Sequence, residues 1–146
     1  MDPRLEKIAL RFLRLHDLLY RRSGGRIGHR VPGQPNSLLL HSTGAKSGEP
    51  RTHTLSYAKD GSDYLIVASN GGARRNPAWY HNVKAHPDVE INVGTRRFPV
   101  HATIVGPDDS DYPRLWRIVN ANNHDRYTAY QRRTSRPIAV IRLRPV

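Results

Sequence analysis

The chain contains no cysteine, which excludes disulfide staples, thiolate metal sites and cysteine nucleophiles together. Its longest apolar runs, Leu38-Leu39-Leu40 and Leu65-Ile66-Val67-Ala68, fall far short of the ~20 residues needed to cross a bilayer. The N-terminus has charges every few residues and no apolar h-region, so no secretory signal is read and a cytoplasmic protein is expected. Acid is scarce: 12 Asp and Glu face 24 Lys and Arg, a formal charge of +12. Such a field attracts polyanions, whether nucleic acid, anionic lipid or a phosphorylated or carboxylate-rich small molecule.

Most catalytic signatures are missing too. Gly24-Gly25-Arg26-Ile27-Gly28 is not G-x-G-x-x-G and follows a helical pattern, against a dinucleotide fold. Gly44-Ala45-Lys46-Ser47 lacks the upstream glycine of a P-loop, and Ser47 sits in G-x-x-S-G instead of the nucleophile elbow G-x-S-x-G. The eight histidines form no H-x-x-x-H pair, and the carboxylates are scattered. No metal site and no paired-carboxylate mechanism is therefore read. A chain rich in cations, hydroxyls and aromatics but poor in acid–base groups fits a protein that borrows its chemistry from a cofactor.

What is present begins with residues 4–21. Leu5, Ile8, Phe12, Leu15 and Leu19 recur at helical spacing, with Arg4, Lys7, Arg11, Arg14, Arg21 and Arg22 over much of the rest. Such a helix packs its stripe on the domain; alternatives are a lid over a ligand site or peripheral contact with an anionic membrane. Ser23-Gly24-Gly25 stops it, and a Gly/Pro-rich linker follows to residue 36. From 37 to 146 the pattern predicts one domain. Strands are expected over 37–42, 51–57 and 63–69, a hairpin of 89–93 and 97–105 about Gly94-Thr95, and a last strand over 138–143. A helix is predicted after Asn76-Pro77, read as cap and first position, closing before Pro87. A second is predicted over 108–120, with Asp108, Asp109 and Asp111 at its positive end and Leu115, Trp116 and Val119 inward. Antiparallel strands with a few helices and no βαβ alternation imply a small β-barrel with added helices, an α+β architecture.

Two stretches carry the chemistry. Thr43 to Thr52 and Ser69 to Asn82 each set turn glycines beside hydroxyls and fixed cations, and the second adds Trp79-Tyr80. Backbone N–H groups and cations suit an anion, and aromatic faces suit a flat ring. Together they predict a site for an anionic ligand carrying a ring.

These residues resemble the deazaflavin-dependent nitroreductases and quinone reductases of actinobacteria, which bind coenzyme F420. The matching elements are Gly24-Gly25-Arg26-Ile27-Gly28, Thr43-Gly44-Ala45-Lys46-Ser47-Gly48-x-x-Arg51-Thr52, Ala68-Ser69-Asn70-Gly71-Gly72 and Asn76-Pro77-Ala78-Trp79-Tyr80-His81-Asn82. Ala85-His86-Pro87 and Tyr130-Gln131-Arg132-Arg133-Thr134-x-Arg136 continue the order. Thr54, Val83 and Ala139 depart from the family's usual proline, leucine and proline. The resemblance implies a split β-barrel like those of flavin reductases and pyridoxamine-phosphate oxidases. It also implies hydride transfer from reduced deazaflavin to a quinone, nitroaromatic or activated alkene.

Carried over by position, Lys46, Ser47, Arg51 and Thr52 hold the phosphate and polyglutamate tail, with Arg75 adding charge. Thr54, Leu55, Ala68, Ser69 and Asn70 line the ring, and Ala78, Trp79, Tyr80 and Asn82 close its other side. Ala45, His53, Val67 and His81 belong to the same cofactor set. A helix tryptophan is as often plain core, so Trp79 stays open between the two. Ser69, Tyr127 and Tyr130 are assigned to the acceptor side. Two rival readings keep the barrel: a nucleic-acid-binding surface with Trp79, Tyr80, Tyr127 and Tyr130 stacking bases, or FMN or haem as the cofactor.

Overall fold

The computed structural model describes residues 36–146. The predicted helix over 4–21, the Gly24-to-Gly28 motif and the linker up to Pro35 lie outside the described residues. Seven antiparallel strands form one curled sheet: β1 (Ser37–Thr43), β2 (Pro50–Ser56), β3 (Ala58–Asp60), β4 (Asp63–Val67), β5 (Asp88–Val93), β6 (Arg96–Val105) and β7 (Val140–Pro145). Their spatial order is β2-β1-β5-β6-β7-β4-β3, which puts β2 and β3 at the edges. Among the described residues, three helices, α1 (Ala78–Ala85), α2 (Tyr112–Asn122) and α3 (Arg126–Gln131), and a 3-10 turn at Asn70–Gly72 accompany the sheet.

The apolar runs of β4 and β7 are continuous because those strands are covered on both faces. Ile66, Ile141 and Leu143 point into the barrel with Leu38, Leu40, Ile91 and Val100, under α1's Trp79 and Val83. Their strand neighbours Leu65, Val67 and Val140 face a second core made with Leu115 and Val119 of α2 and Tyr127 of α3. Gly61 and Gly94, at φ +60° each, make the two tight hairpin turns.

Several predicted boundaries shift for identifiable reasons. β4 stops at Val67 instead of Ser69, because the carbonyls of Ala68 and Ser69 accept hydrogen bonds from Arg136 and leave the ladder. β7 starts at Val140 instead of Ile138, whose N–H goes to Gln131 Oε1 at 2.9 Å. The short strand β3 was not anticipated. Asn76 is not a cap: Pro77 holds that position, and the Asn76 amide oxygen accepts from Arg136 instead. α2 begins at Tyr112, not Asp108. Asp109 Oδ1 accepts the Asp111 N–H at 2.8 Å, and Asp111 pairs with Arg114 and Arg142, so these acids build a turn and an ion network. Leu115 and Val119 are buried as expected. Trp116 stays half-buried, its ring stacked 5.5 Å from that of Tyr112.

Candidate cofactor and acceptor site

The β1–β2 turn is closed by Gly44 N–H to Glu49 O at 2.8 Å and Gly48 N–H to Gly44 O at 2.9 Å, with Gly48 at φ +70°. A Cβ on Gly44 would meet Ser47 Oγ, so a larger residue there would make the exposed Ser47 side chain turn away. Asn82, buried on α1, ties that helix to the turn. Its Oδ1 accepts the Ala45 N–H at 2.9 Å, and its Nδ2 donates to Ser42 Oγ at 3.4 Å. Between turn and helix lies a cavity of about 380 Å³, lined by Ala45, Lys46, Ser47, Arg51, His53 and residues of α1 that include Ala78, His81 and Asn82. Lys46 and Ser47 are exposed, and among the described residues Arg51 makes one ion pair, to Glu49 at 3.3 Å. The cations here therefore remain available to an anion.

A second cavity, about 270 Å³, opens further along the same edge strand. Thr54, Leu55 and Ser56 of β2 face Val67, Ser69 and Gly71 across it, with Asn123, Arg126, Tyr127 and Tyr130 closing the end. Tyr127 is buried, and burial pushes its phenol up to about 12, with Tyr130 acting in the same direction. Its hydroxyl therefore stays protonated at neutral pH. The Tyr127 and Tyr130 rings meet edge to face, 6.3 Å apart. Among the described residues, the buried Thr54 Oγ1 has no hydrogen-bond partner.

The loop joining β4 to α1 runs between the two cavities. Asn70 takes a left-handed φ of +44°, and its Nδ2 donates to Arg75 O at 3.0 Å. Arg136 holds the loop from behind, donating to Ala68 O (3.0 Å), Ser69 O (2.8 Å), Ala73 O (2.8 Å) and Asn76 Oδ1 (2.9 Å). The other predicted residues are placed less directly. Trp79 is only 4% exposed and packs in the barrel core, and Ala68 is wholly buried. Tyr80 is half-buried against that core, edge-on to His81, and Arg75 is exposed. Thr52 points to the opposite sheet face, where Oγ1 meets His41 Nδ1 at 3.3 Å; there it lines a third cavity of about 680 Å³ together with His41, Glu90 and Arg97. Tyr127 is buried because α3 turns its ring onto the second core.

Sequence reasoning missed Ser56, Gly71, Asn123 and Arg126 at the second cavity, and the loop-holding role of Arg136. Asn123 and Arg126 precede Tyr127 by four and one residues, a spacing that puts them around the same helix start. Among the described residues no cluster of potential metal ligands occurs, and no helix is long and apolar enough to cross a membrane.

Comparison with known proteins identifies the family. The model of the F420H(2)-dependent quinone reductase family matches residues 12–145. An F420H(2)-dependent quinone reductase of Mycobacterium tuberculosis strain H37Rv is 64% identical over 134 residues, covering 92% of this chain and 90% of that one. Among solved structures, an F420H2-dependent reductase superposes with a TM-score of 0.63 at 33% identity, over 73% of this chain and 92% of that chain. A protein described as a domain-swapped dimer reaches 0.68 at 28% identity, over 95% and 98%. A haem storage protein of Vibrio cholerae, 14% identical with a TM-score of 0.58 over 75% and 81%, shares the fold alone. The chain belongs to the F420H(2)-dependent quinone reductase family.

Proposed function

From membership of this family we infer that the protein is an F420H2-dependent reductase with coenzyme F420 as cofactor and a quinone as acceptor. The observation that carries the residue assignment is the sharing of strand β2 by two chemically different cavities. Arg51 and His53 line the cationic one, and Thr54 and Leu55 line the one closed by tyrosines. A strand rises about 3.3 Å per residue, so Arg51 and Thr54 lie roughly 10 Å apart along one edge. An elongated ligand with an acidic tail and a flat ring fits that separation. Lys46, Ser47, Arg51 and the Ala45–Gly48 turn hold the phosphate and tail, through charge-assisted hydrogen bonds. Thr54, Leu55 and Val67 line the ring, and Ser69 and Gly71 bound it.

When bound, the reduced cofactor supplies a hydride to the acceptor. The chain's own part is positioning and proton supply. Ser69, Tyr127 and Tyr130 offer hydroxyls at the second cavity, and the phenol of Tyr127, protonated at neutral pH, donates a hydrogen bond to an acceptor oxygen as charge develops there. Arg126 lines the same cavity and adds positive potential. No protein nucleophile takes part. A nitroaromatic suits the same hydroxyls and is the second acceptor class in this reading. Contact of residues 4–21 with an anionic membrane is the further proposal that brings a lipid quinone within reach.

The experiment is anaerobic mixing of protein, reduced cofactor and menadione, following oxidised cofactor by absorbance. Turnover well above the protein-free rate is expected. A rate equal to that background overturns the assignment. Absence of FMN and haem bands in the purified protein, and an ordinary ratio of nucleic-acid to protein absorbance, separate it from the flavin, haem and nucleic-acid readings.

A further inference from the structure

We propose that Arg136 is a positioning residue for hydride transfer. Its guanidinium gathers the carbonyls of Ala68, Ser69 and Ala73 with the Asn76 amide oxygen, and so fixes the loop lying between the two cavities. The inference rests on the functional reading above and adds to it a residue that touches neither cavity.

The geometry is specific to arginine. Four hydrogen bonds of 2.8–3.0 Å leave Nε, Nη1 and Nη2 in one plane and reach acceptors spread over nine residues of chain. A lysine ammonium, with three donors at one point, cannot bridge them. Among the described residues no carboxylate pairs with Arg136. Its charge is met by peptide dipoles, and burial lowers its pKa. The clamp is itself braced. Gln131 Nε2 donates to Arg136 O at 2.8 Å and Gln131 Oε1 accepts from Ile138 N–H, fixing the turn that carries Arg136. Arg133 Nη1 reaches Gly71 O at 3.4 Å, adding a weaker hold on the same loop.

The direction of the held carbonyls matters. All peptide bonds of the described chain are trans, so a peptide whose C=O faces Arg136 turns its N–H away from it. The peptides following Ala68 and Ser69 therefore present the N–H groups of Ser69 and Asn70 on the side opposite the guanidinium. Ser69 also lines the tyrosine cavity, together with Gly71. Arg136 thus sets both the Ser69 hydroxyl and two backbone donors at the ring end of the site, while the anion-binding turn is built from β1, β2 and α1. Loss of Arg136 moves the reacting end and leaves the anchoring end in place. A displacement of about 1 Å at a reacting centre costs on the order of a hundred-fold in rate.

The test uses full-length protein, with wild type, Arg136→Lys and Arg136→Ala compared side by side. Wild-type turnover of reduced F420 with menadione is measured first; without it the functional reading itself fails, and the clamp is not at issue. Given wild-type turnover, Arg136→Lys is expected to lose at least about ten-fold in kcat. Its Kd for F420, read by fluorescence titration, should stay within about three-fold, because the tail contacts are intact. In Arg136→Ala, added ethylguanidinium should restore part of kcat where ethylammonium does not, a recovery that a purely stabilising residue does not give. Wild-type kcat in folded Arg136→Lys, or a loss lying wholly in cofactor Kd, overturns the proposal. If Arg136→Ala does not fold, the lysine variant alone decides by the same two readings.

Discussion

Gly72 lies directly beneath the last turn of α3: a Cβ there would stand 2.6 Å from Tyr130 O and 3.0 Å from Arg133 Cβ. Its φ of +82° is also a conformation that side-chain-bearing residues rarely adopt. The loop between the cavities is thus pressed against the helix that carries the acceptor-side tyrosines, and only glycine permits the approach.

Gly72→Ala combines left-handed strain with a backbone clash, and should destabilise the fold by about 2–4 kcal/mol. Gly71→Ala is the internal control. Gly71 has φ +63° but open space around its Cβ position, so strain acts alone and about 1 kcal/mol is expected. Denaturant midpoints of the two variants measure the difference. Equal losses would show that the contact with Tyr130 relaxes freely.

Lys46→Ala and Arg51→Ala address the anion end. A charge-assisted hydrogen bond is worth about 1.5–3 kcal/mol. Arg51 is half-exposed and already paired with Glu49, which argues for the lower limit, so each variant should weaken F420 binding about ten-fold at low salt. The gap should narrow as ionic strength rises and the Debye length falls below ~10 Å. Unchanged affinity in both variants, by fluorescence titration, would remove the turn from the cofactor site.

How much of this was legible depended on where the information resides. Leu38-Leu39-Leu40, the Gly94 turn and the Gly44–Pro50 turn announce themselves through side-chain pattern, and those elements lie where the pattern places them to within one residue. The Lys46/Arg51 and Tyr127/Tyr130 groups were also readable by residue type, although not that one edge strand lines both cavities. Arg136 was not readable. Its partners are three backbone carbonyls, which every residue possesses, so nothing in residues 68, 69 and 73 marks them as acceptors. Asn76-Pro77 misled for the same reason. A cap motif is a local preference, and the Asn76 amide had a stronger partner supplied from 60 residues away.

A network remote from the site should govern acid stability. Arg114 makes a bidentate pair with Asp60 and contacts Asp111, and Arg142 bridges Asp111 to Asp63. Hydrogen bonds from Arg114, first among several effects, hold the Asp60 and Asp111 carboxyls below their ordinary value of 3.8. Depressed folded-state values mean that this contribution is present above the unfolded pKa and is lost as pH falls through the folded one. Wild type should therefore lose Tm steeply on acidification below about pH 4. Arg114→Gln should be less stable than wild type at neutral pH and converge on it in acid. Parallel Tm curves over that range would sink this account.

The acceptor-side phenol has the opposite sign. Burial raises Tyr127 from 10.0 to about 12, so the neutral phenol is favoured in the folded protein. A raised folded value contributes stability that is complete below the unfolded pKa of 10.0 and lost as pH climbs through about 12. Tyr127→Phe removes that alkaline sensitivity while keeping the ring that packs on the second core. It also removes a hydrogen-bond donor at the acceptor. A neutral hydrogen bond nets about 0.5–1.5 kcal/mol, so kcat with menadione should fall about three- to ten-fold, with F420 affinity unchanged. The wild-type rate should show no tyrosine inflection below pH 10. Since hydride transfer from the cofactor needs no protein nucleophile, a donor here assists the reaction without being required for it. An unchanged kcat would place Tyr127 in the core alone. Complete loss of turnover, with cofactor and acceptor still bound, would instead make it an obligatory proton donor and contradict the mechanism.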